Sequence, residues 1–251
     1  MRHWRLQPHI FHRRELPCWQ PCGISERMRL VTLLLVLLAA CSRFAPRHDE
    51  DTQPYHAYHR FERAEDWVAR FEDPSRDAWQ RPDEVIRVLS PSPSASVADI
   101  GAATGYFSAR FARAVPEGRV FAIDIEPFMI DYLTARAKRE GLGNITTILA
   151  TADDPKIPEP VDLIIVVDTY HHLVGRTAYF QRLTRALKPS GRIAIIDFKP
   201  ESKMGPIEKL APAQVIRELA EAGYALVDQP TVLPEQYFLI FALARAQPPS
   251  P

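Results

Sequence analysis

Two stretches constrain this chain most: 161–168 (VDLIIVVD) and 192–198 (RIAIIDF). Nearly every position in them is apolar, without the alternation of a half-exposed strand. Each therefore suits a parallel sheet covered on both faces. Parallel neighbours need long crossovers, usually helical, and the chain supplies them. Strands 96–100 (SVADI), 119–125 (RVFAIDI) and 144–149 (NITTIL) come first, and helices over about 105–115, 127–140, 176–187 and 211–222 are interleaved. Gly141 and Gly223 stop two of these helices. This alternation predicts right-handed β-α-β units in an open, doubly wound α/β sheet. The end differs. Strands 224–228 (YALVD) and 236–244 (QYFLIFALA) are joined by a short loop containing Pro230 and Pro234. So short a link cannot be a parallel crossover, so the two pair antiparallel or lie as neighbours. Seven strands result, the last reversed. Two amphipathic helices precede the sheet. One covers 61–72, with Phe61, Ala64, Trp67, Val68 and Phe71 at helical spacing; the other is opened by Pro82 and carries Val85, Ile86 and Leu89.

Charge and cysteine usage narrow the function classes. Residues 1–40 carry six Arg and two Glu, and the rest of the chain has a net charge of −4. That balance gives no basic face for nucleic acid. Cys18, Cys22 and Cys41 all precede the domain, so neither a disulfide framework nor a thiol metal site is available to it. No His/Asp/Glu cluster stands at metal-ligand spacing, and no metal is expected.

The run from Leu30 to Ala40, apolar but for Thr32, follows Arg27 and Arg29. A bilayer span needs about 20 residues, so the run fits the core of an export signal instead. It ends Leu38-Ala39-Ala40-Cys41, which resembles the lipobox of bacterial lipoproteins. That resemblance implies cleavage before Cys41, lipidation of its thiol, membrane attachment through the lipid, and a domain in the cell envelope facing the periplasm. If the signal is not used, the domain is cytoplasmic. The organisation expected is an export segment over 1–40, with 1–27 an over-long start if Met28 begins the chain. A lipidated Cys41 and tether follow over 41–60, then one domain over 61–245 and a disordered tail over 246–251.

In open α/β sheets ligands sit at the carboxyl ends of the strands. The first such end is 97–107, VADIGAATGYF. Gly101 and Gly105 let backbone approach a ligand, and the helix start beyond favours negative charge. The dinucleotide fingerprint G-x-G-x-x-G is absent, which disfavours a dehydrogenase. Asp99-Ile-Gly-Ala-Ala-Thr-Gly105 instead resembles the first motif of class I S-adenosylmethionine (SAM)-dependent methyltransferases. Asp124, ending the second strand, matches that family's ribose-binding acid. Asp153 in ATADDPKIP matches its adenine-side acid, before Ile157-Pro158. VDLIIVVDTYHHL and LKPSGRIAIIDF match its fourth strand and its turn with fifth strand. The likeness spans about 80–244, and its one departure is Ala103, where the family usually has the middle glycine.

The resemblance implies a Rossmann-like seven-stranded sheet and SAM as cofactor. Its cofactor contacts fall on Asp99, Gly101, Ala103, Gly105, Tyr106, Asp124, Ile125, Asp153, Asp154 and Asp168. Tyr170, His171 and His172 follow the fourth strand, where the family places groups facing the methyl. A histidine there is a candidate base, and Tyr170 a candidate for orienting the acceptor. The adjacent histidines are expected to point apart. Trp79, Gln80, Tyr106, Phe198 and Tyr237 are candidate walls. The expected function is methyl transfer to a small molecule; the alternative is an envelope lipoprotein that uses a methyltransferase-like fold as a binding module. Oligomeric state is left open.

Overall fold

The computed structural model describes residues 64–244, with side chains from Trp67 onward. The export segment, Cys18, Cys22, Cys41, the tether and the tail lie outside the described residues. Three helices open the described chain: α1 (Ala64–Phe71), α2 (Arg76–Gln80) and α3 (Pro82–Leu89). Strands and helices then alternate: β1 (Ser96–Ile100), α4 (Tyr106–Ala114), β2 (Arg119–Asp124), α5 (Pro127–Arg139), β3 (Ile145–Leu149) and β4 (Val161–Val167). A 3-10 turn (Tyr170–His172) leads to α6 (Arg176–Leu183), β5 (Leu187–Phe198), α7 (Pro212–Glu221), β6 (Tyr224–Asp228) and β7 (Gln236–Leu243).

The seven strands form one sheet in the order β3-β2-β1-β4-β5-β7-β6. All pairings are parallel except those of β7, which runs antiparallel to both β5 and β6. The expected α/β doubly wound architecture and its reversed last strand are thus present. The continuous apolar strands follow from cover on both faces. Ile164, Val166, Ile193 and Ile195 pack with Phe180, Leu183, Val215 and Leu219 of α6 and α7. On the other face, Leu163, Ile165, Ala194 and Ile196 pack with Val85, Leu89, Phe107 and Phe111 of α3 and α4. Sequence order reverses between β1 and β4, which opens a crevice at their carboxyl ends.

Two expectations change. The helix expected over 176–187 stops at Leu183, where Thr184 Oγ1 donates to the Gln181 carbonyl and β5 starts only four residues later. The Lys-Pro-Ser-Gly turn then lies inside that strand as an irregularity, because the partners of β4 jump from Leu187 to Arg192. Helix α2 and the 3-10 turn are additions, and both stand at the carboxyl edge of the sheet.

Candidate cofactor and acceptor site

After β1 the backbone adopts positive φ at every second residue: Gly101 (+77°), Ala103 (+47°) and Gly105 (+87°). The coil is pinned to β2, because the N–H groups of Gly101 and Ala102 both donate to the Ile123 carbonyl, at 2.8 and 2.9 Å. Gly101 is required twice over. Its φ disfavours a side chain, and a Cβ there would lie 2.8 Å from Thr169 Cβ and 2.5 Å from Thr169 Cγ2. Ala103 takes the left-handed conformation with a methyl attached, at a cost of about 1–2 kcal/mol. Its N–H donates to Asp124 Oδ2 at 2.8 Å.

Asp124 also accepts from the Glu126 N–H, through Oδ1 at 3.0 Å. Each carboxylate oxygen thus holds one backbone donor and has capacity for another. Burial pushes its pKa up, and the Glu126, Ala103 and Ile125 N–H groups oppose that shift. Beside it stand two apolar side chains exposed to solvent, Ile125 (53%) and Leu149 (45%), the latter its register partner on β3.

Asp99 is placed differently from a ligand contact. It is 3% exposed and accepts from Ser108 Oγ of α4 at 2.5 Å, so it ties β1 to that helix beneath the coil. Burial pushes its pKa up to about 6, with the Asp124 charge adding to the effect. Tyr106 is also buried. Its ring lies between the Arg76 and Arg110 guanidiniums, 4.1 and 4.0 Å from its centroid, and its hydroxyl donates to Asp77. Asp153 and Asp154 sit in an exposed turn. Thr151 Oγ1 donates to Asp153 Oδ1 at 2.8 Å, which holds that carboxyl below its usual range, and the Lys156 N–H donates to Asp154 at 2.8 Å.

Helices α1 and α2 lie over the carboxyl edge; Glu72, Thr104 and Arg136, which seat α1, are residues the sequence did not single out, whereas Gln80, Asp168, Trp79 and Phe198 around α2 were among its candidates. Arg136 Nη1 of α5 bonds Glu72 at 2.5 Å and the Thr104 carbonyl at 3.0 Å, and Thr104 Oγ1 also donates to Glu72. The buried Gln80 donates to Asp168 Oδ2 at 2.9 Å. Gln236 donates to the other oxygen of Asp168, and the Arg76 guanidinium lies 3.6 Å away. Burial pushes the Asp168 pKa up to about 6, with the Asp197 charge next in size. Trp79 packs on Phe198, ring centroids 5.6 Å apart.

The candidates after β4 divide. Tyr170 has no exposed surface, and its hydroxyl donates to Glu218 Oε2 of α7 at 2.6 Å, so its place is in the core beside Phe180. His172 is exposed. The two histidine rings do not point apart as expected, since the 3-10 turn brings their centroids to 4.0 Å. His171 is 6% exposed, and its Nδ1 lies 2.9 and 2.8 Å from the two oxygens of Asp197, the penultimate residue of β5. One cue for this pairing was in the sequence: His171 follows the carboxyl end of strand 161–168, and Asp197 lies near the carboxyl end of the next expected strand, 192–198.

Comparisons with known proteins bear on the fold. Residues 97–191 match a methyltransferase domain family. The ubiquinone/menaquinone biosynthesis C-methyltransferase UbiE of Vibrio vulnificus is 27% identical over 134 residues, which is 52% of this chain and 51% of that protein. The malonyl-[acyl-carrier protein] O-methyltransferase of Methylococcus capsulatus is 32% identical over 114 residues, 45% of this chain and 40% of that one. The chain spans about half the length of the curated relatives it matches. Among solved structures, a SAM-dependent methyltransferase from Aquifex aeolicus superposes with a TM-score of 0.65 at 25% identity, over 71% of this chain and 98% of that one. Residues 97–191 thus match a methyltransferase domain family, the seven-stranded sheet has the methyltransferase fold, and SAM is the cofactor that fold indicates.

Proposed function

We propose that the protein transfers the methyl group of SAM to a small-molecule acceptor. The observation that carries this reading is Asp124, whose two oxygens each hold one backbone N–H and can each accept one ribose hydroxyl. Ile125 and Leu149 supply an apolar surface for the adenine, with Asp153 and Asp154 on its polar side. The coil from Gly101 to Gly105 and Asp168 face the methionine end. Ala103 suits this task because its contribution there is a backbone N–H. SAM supplies an activated methyl on a sulfonium. The protein's own work is then alignment of the acceptor, worth up to about 7–11 kcal/mol when it is good, with a base wherever the acceptor must lose a proton. His171 suits that role better than Tyr170, which is buried on Glu218.

The two curated relatives are named for different acceptor atoms, one as a C-methyltransferase and one as an O-methyltransferase. Their likeness therefore supports the donor more than any one acceptor. Incubation of the purified chain with [methyl-³H]SAM and a metabolite extract tests the reading. Tritium is expected in products below roughly 1 kDa, at the scale of a pocket ligand. Label appearing only in protein or nucleic acid would remove the small-molecule acceptor.

We further propose that the chain acts at the cell envelope as a lipoprotein anchored through Cys41. Support comes from the sequence: Arg27 and Arg29, the apolar run to Ala40, and its Leu-Ala-Ala-Cys ending. Radiolabelled palmitate should enter the wild type and not Cys41→Ser. Equal labelling of both would refute the anchor.

A further inference from the structure

Cofactor binding leaves one group of buried polar side chains without a task. It lies where β5 and β7 meet the turn after β4. Asp197, 3% exposed, accepts from the backbone N–H of His171 at 3.2 Å and of Phe198 at 2.8 Å, and meets His171 Nδ1 through both oxygens. A carboxylate only accepts, so it selects the imidazole tautomer with the proton on Nδ1 and leaves Nε2 as the basic nitrogen. Tyr237 is the cross-strand partner of Asp197, so both side chains stand on the same face of the sheet. Tyr237 is 4% exposed, and among the described residues its hydroxyl is the buried side-chain polar atom left without a hydrogen-bond partner. Such an atom calls for a partner supplied from outside the protein. Burial, with the Asp197 charge second, pushes its pKa up, so the hydroxyl stays a donor.

We propose that Asp197 is a positioning residue that holds His171 as general base, and that the acceptor carries an acidic hydroxyl, of phenol or enol type, whose oxygen receives the hydrogen bond of Tyr237. This rests on the methyltransferase reading above. In the step, the acceptor O–H bond breaks and its proton passes to His171 Nε2. The oxygen forms its bond to the methyl carbon as the carbon–sulfur bond breaks, with that electron pair going to sulfur. The proton then leaves His171 for water, and the Nδ1–H···Asp197 bond is kept throughout.

The first test needs no turnover. Full-length protein labelled with ¹⁵N-histidine should show a signal of the Nδ1–H tautomer that vanishes in His171→Gln. In Asp197→Asn that signal should shift to the other tautomer or a mixture, while SAM affinity stays within about two-fold. The opposite tautomer in the wild type, or no change in Asp197→Asn, overturns the proposal.

The second test measures turnover on phenols of graded acidity, from phenol to 4-nitrophenol. His171→Gln should lower kcat about 100-fold or more, with the loss shrinking as the hydroxyl becomes more acidic. Asp197→Asn should follow the same trend more weakly, and Asp197→Glu should recover part of the loss. Tyr237→Phe should raise KM for the phenol without altering the tautomer. A loss independent of acidity overturns the base, and SAM binding without turnover of any phenol overturns the acceptor class. Failure to bind SAM at all instead removes the methyltransferase reading.

Discussion

Gly101→Ala probes the contact between the glycine coil and the turn after β4 more sharply than any other substitution. Two costs add. An alanine at φ +77° costs about 1–2 kcal/mol. Its methyl would also meet Thr169 Cβ at 2.8 Å and Cγ2 at 2.5 Å, with Oγ1 closer still. Because Cβ itself is in the clash, no rotation of Thr169 relieves it, and overpacking of this kind costs about 1–3 kcal/mol. Restricting the unfolded chain returns about 0.4–1 kcal/mol. The net loss is therefore roughly 2–4 kcal/mol, most of it from the clash and the strain. Thr169→Ala alone gives up the hydrogen bond from Oγ1 to the Val167 carbonyl, about 0.5–1.5 kcal/mol. It also removes two of the three clashing atoms, so the double variant should be less destabilised than the sum of the singles by about 1–2 kcal/mol. Urea unfolding followed by circular dichroism on all four proteins reads this coupling. Additivity within about 0.5 kcal/mol would refute the packing argument, as would a Gly101→Ala protein that unfolds with the wild type.

Two further outcomes follow from the same contacts. Burial raises the Asp99 carboxyl from its ordinary 3.8 to about 6 in the folded chain, so the unfolded chain ionises first and stability falls as pH rises through that window. Between pH 4.5 and pH 7 this group should remove about 2 kcal/mol. Asp168 titrates in the same window, so Asp99→Asn should remove about 2 kcal/mol of the change between the two pH values in urea titrations and leave the rest, and an unchanged slope would show that Asp99 does not titrate there. Arg136→Met should cut the links from α5 to Glu72 and the Thr104 carbonyl and free α1. Amide exchange over 64–72 should then quicken at least ten-fold while β4 and β5 stay protected; uniform quickening would mean that the whole domain had loosened.

Six of the seven strands were legible to within a residue at each end, because apolar runs such as VDLIIVV leave a parallel strand buried on both faces as the consistent reading; β5 begins at Leu187, ahead of the expected 192, because its first pairing with β4 precedes the Lys-Pro-Ser-Gly irregularity. Helix α2 was not. Its five residues are too few to show a period, and it is seated by partners far along the chain, Gln80 on Asp168 and Gln236. The motif residues were found by order and spacing, but their tasks depend on burial, which spacing does not encode. Asp99 and Tyr170 illustrate this, since each is bonded inward, to Ser108 and Glu218. The His171–Asp197 pair was missed because 26 residues separate its members and only the adjacency of β4 and β5 joins them.

On the function proposed above, the coil from Gly101 to Gly105 and Asp124 form the SAM site. Isothermal titration of SAM into the full chain and into Asp124→Ala tests it most directly. One-site binding in the micromolar range is expected for the wild type. Loss of two charge-assisted hydrogen bonds, at about 1.5–3 kcal/mol each, should weaken the variant by at least 100-fold. Absence of heat with the wild type, or equal affinity in both proteins, would contradict the account.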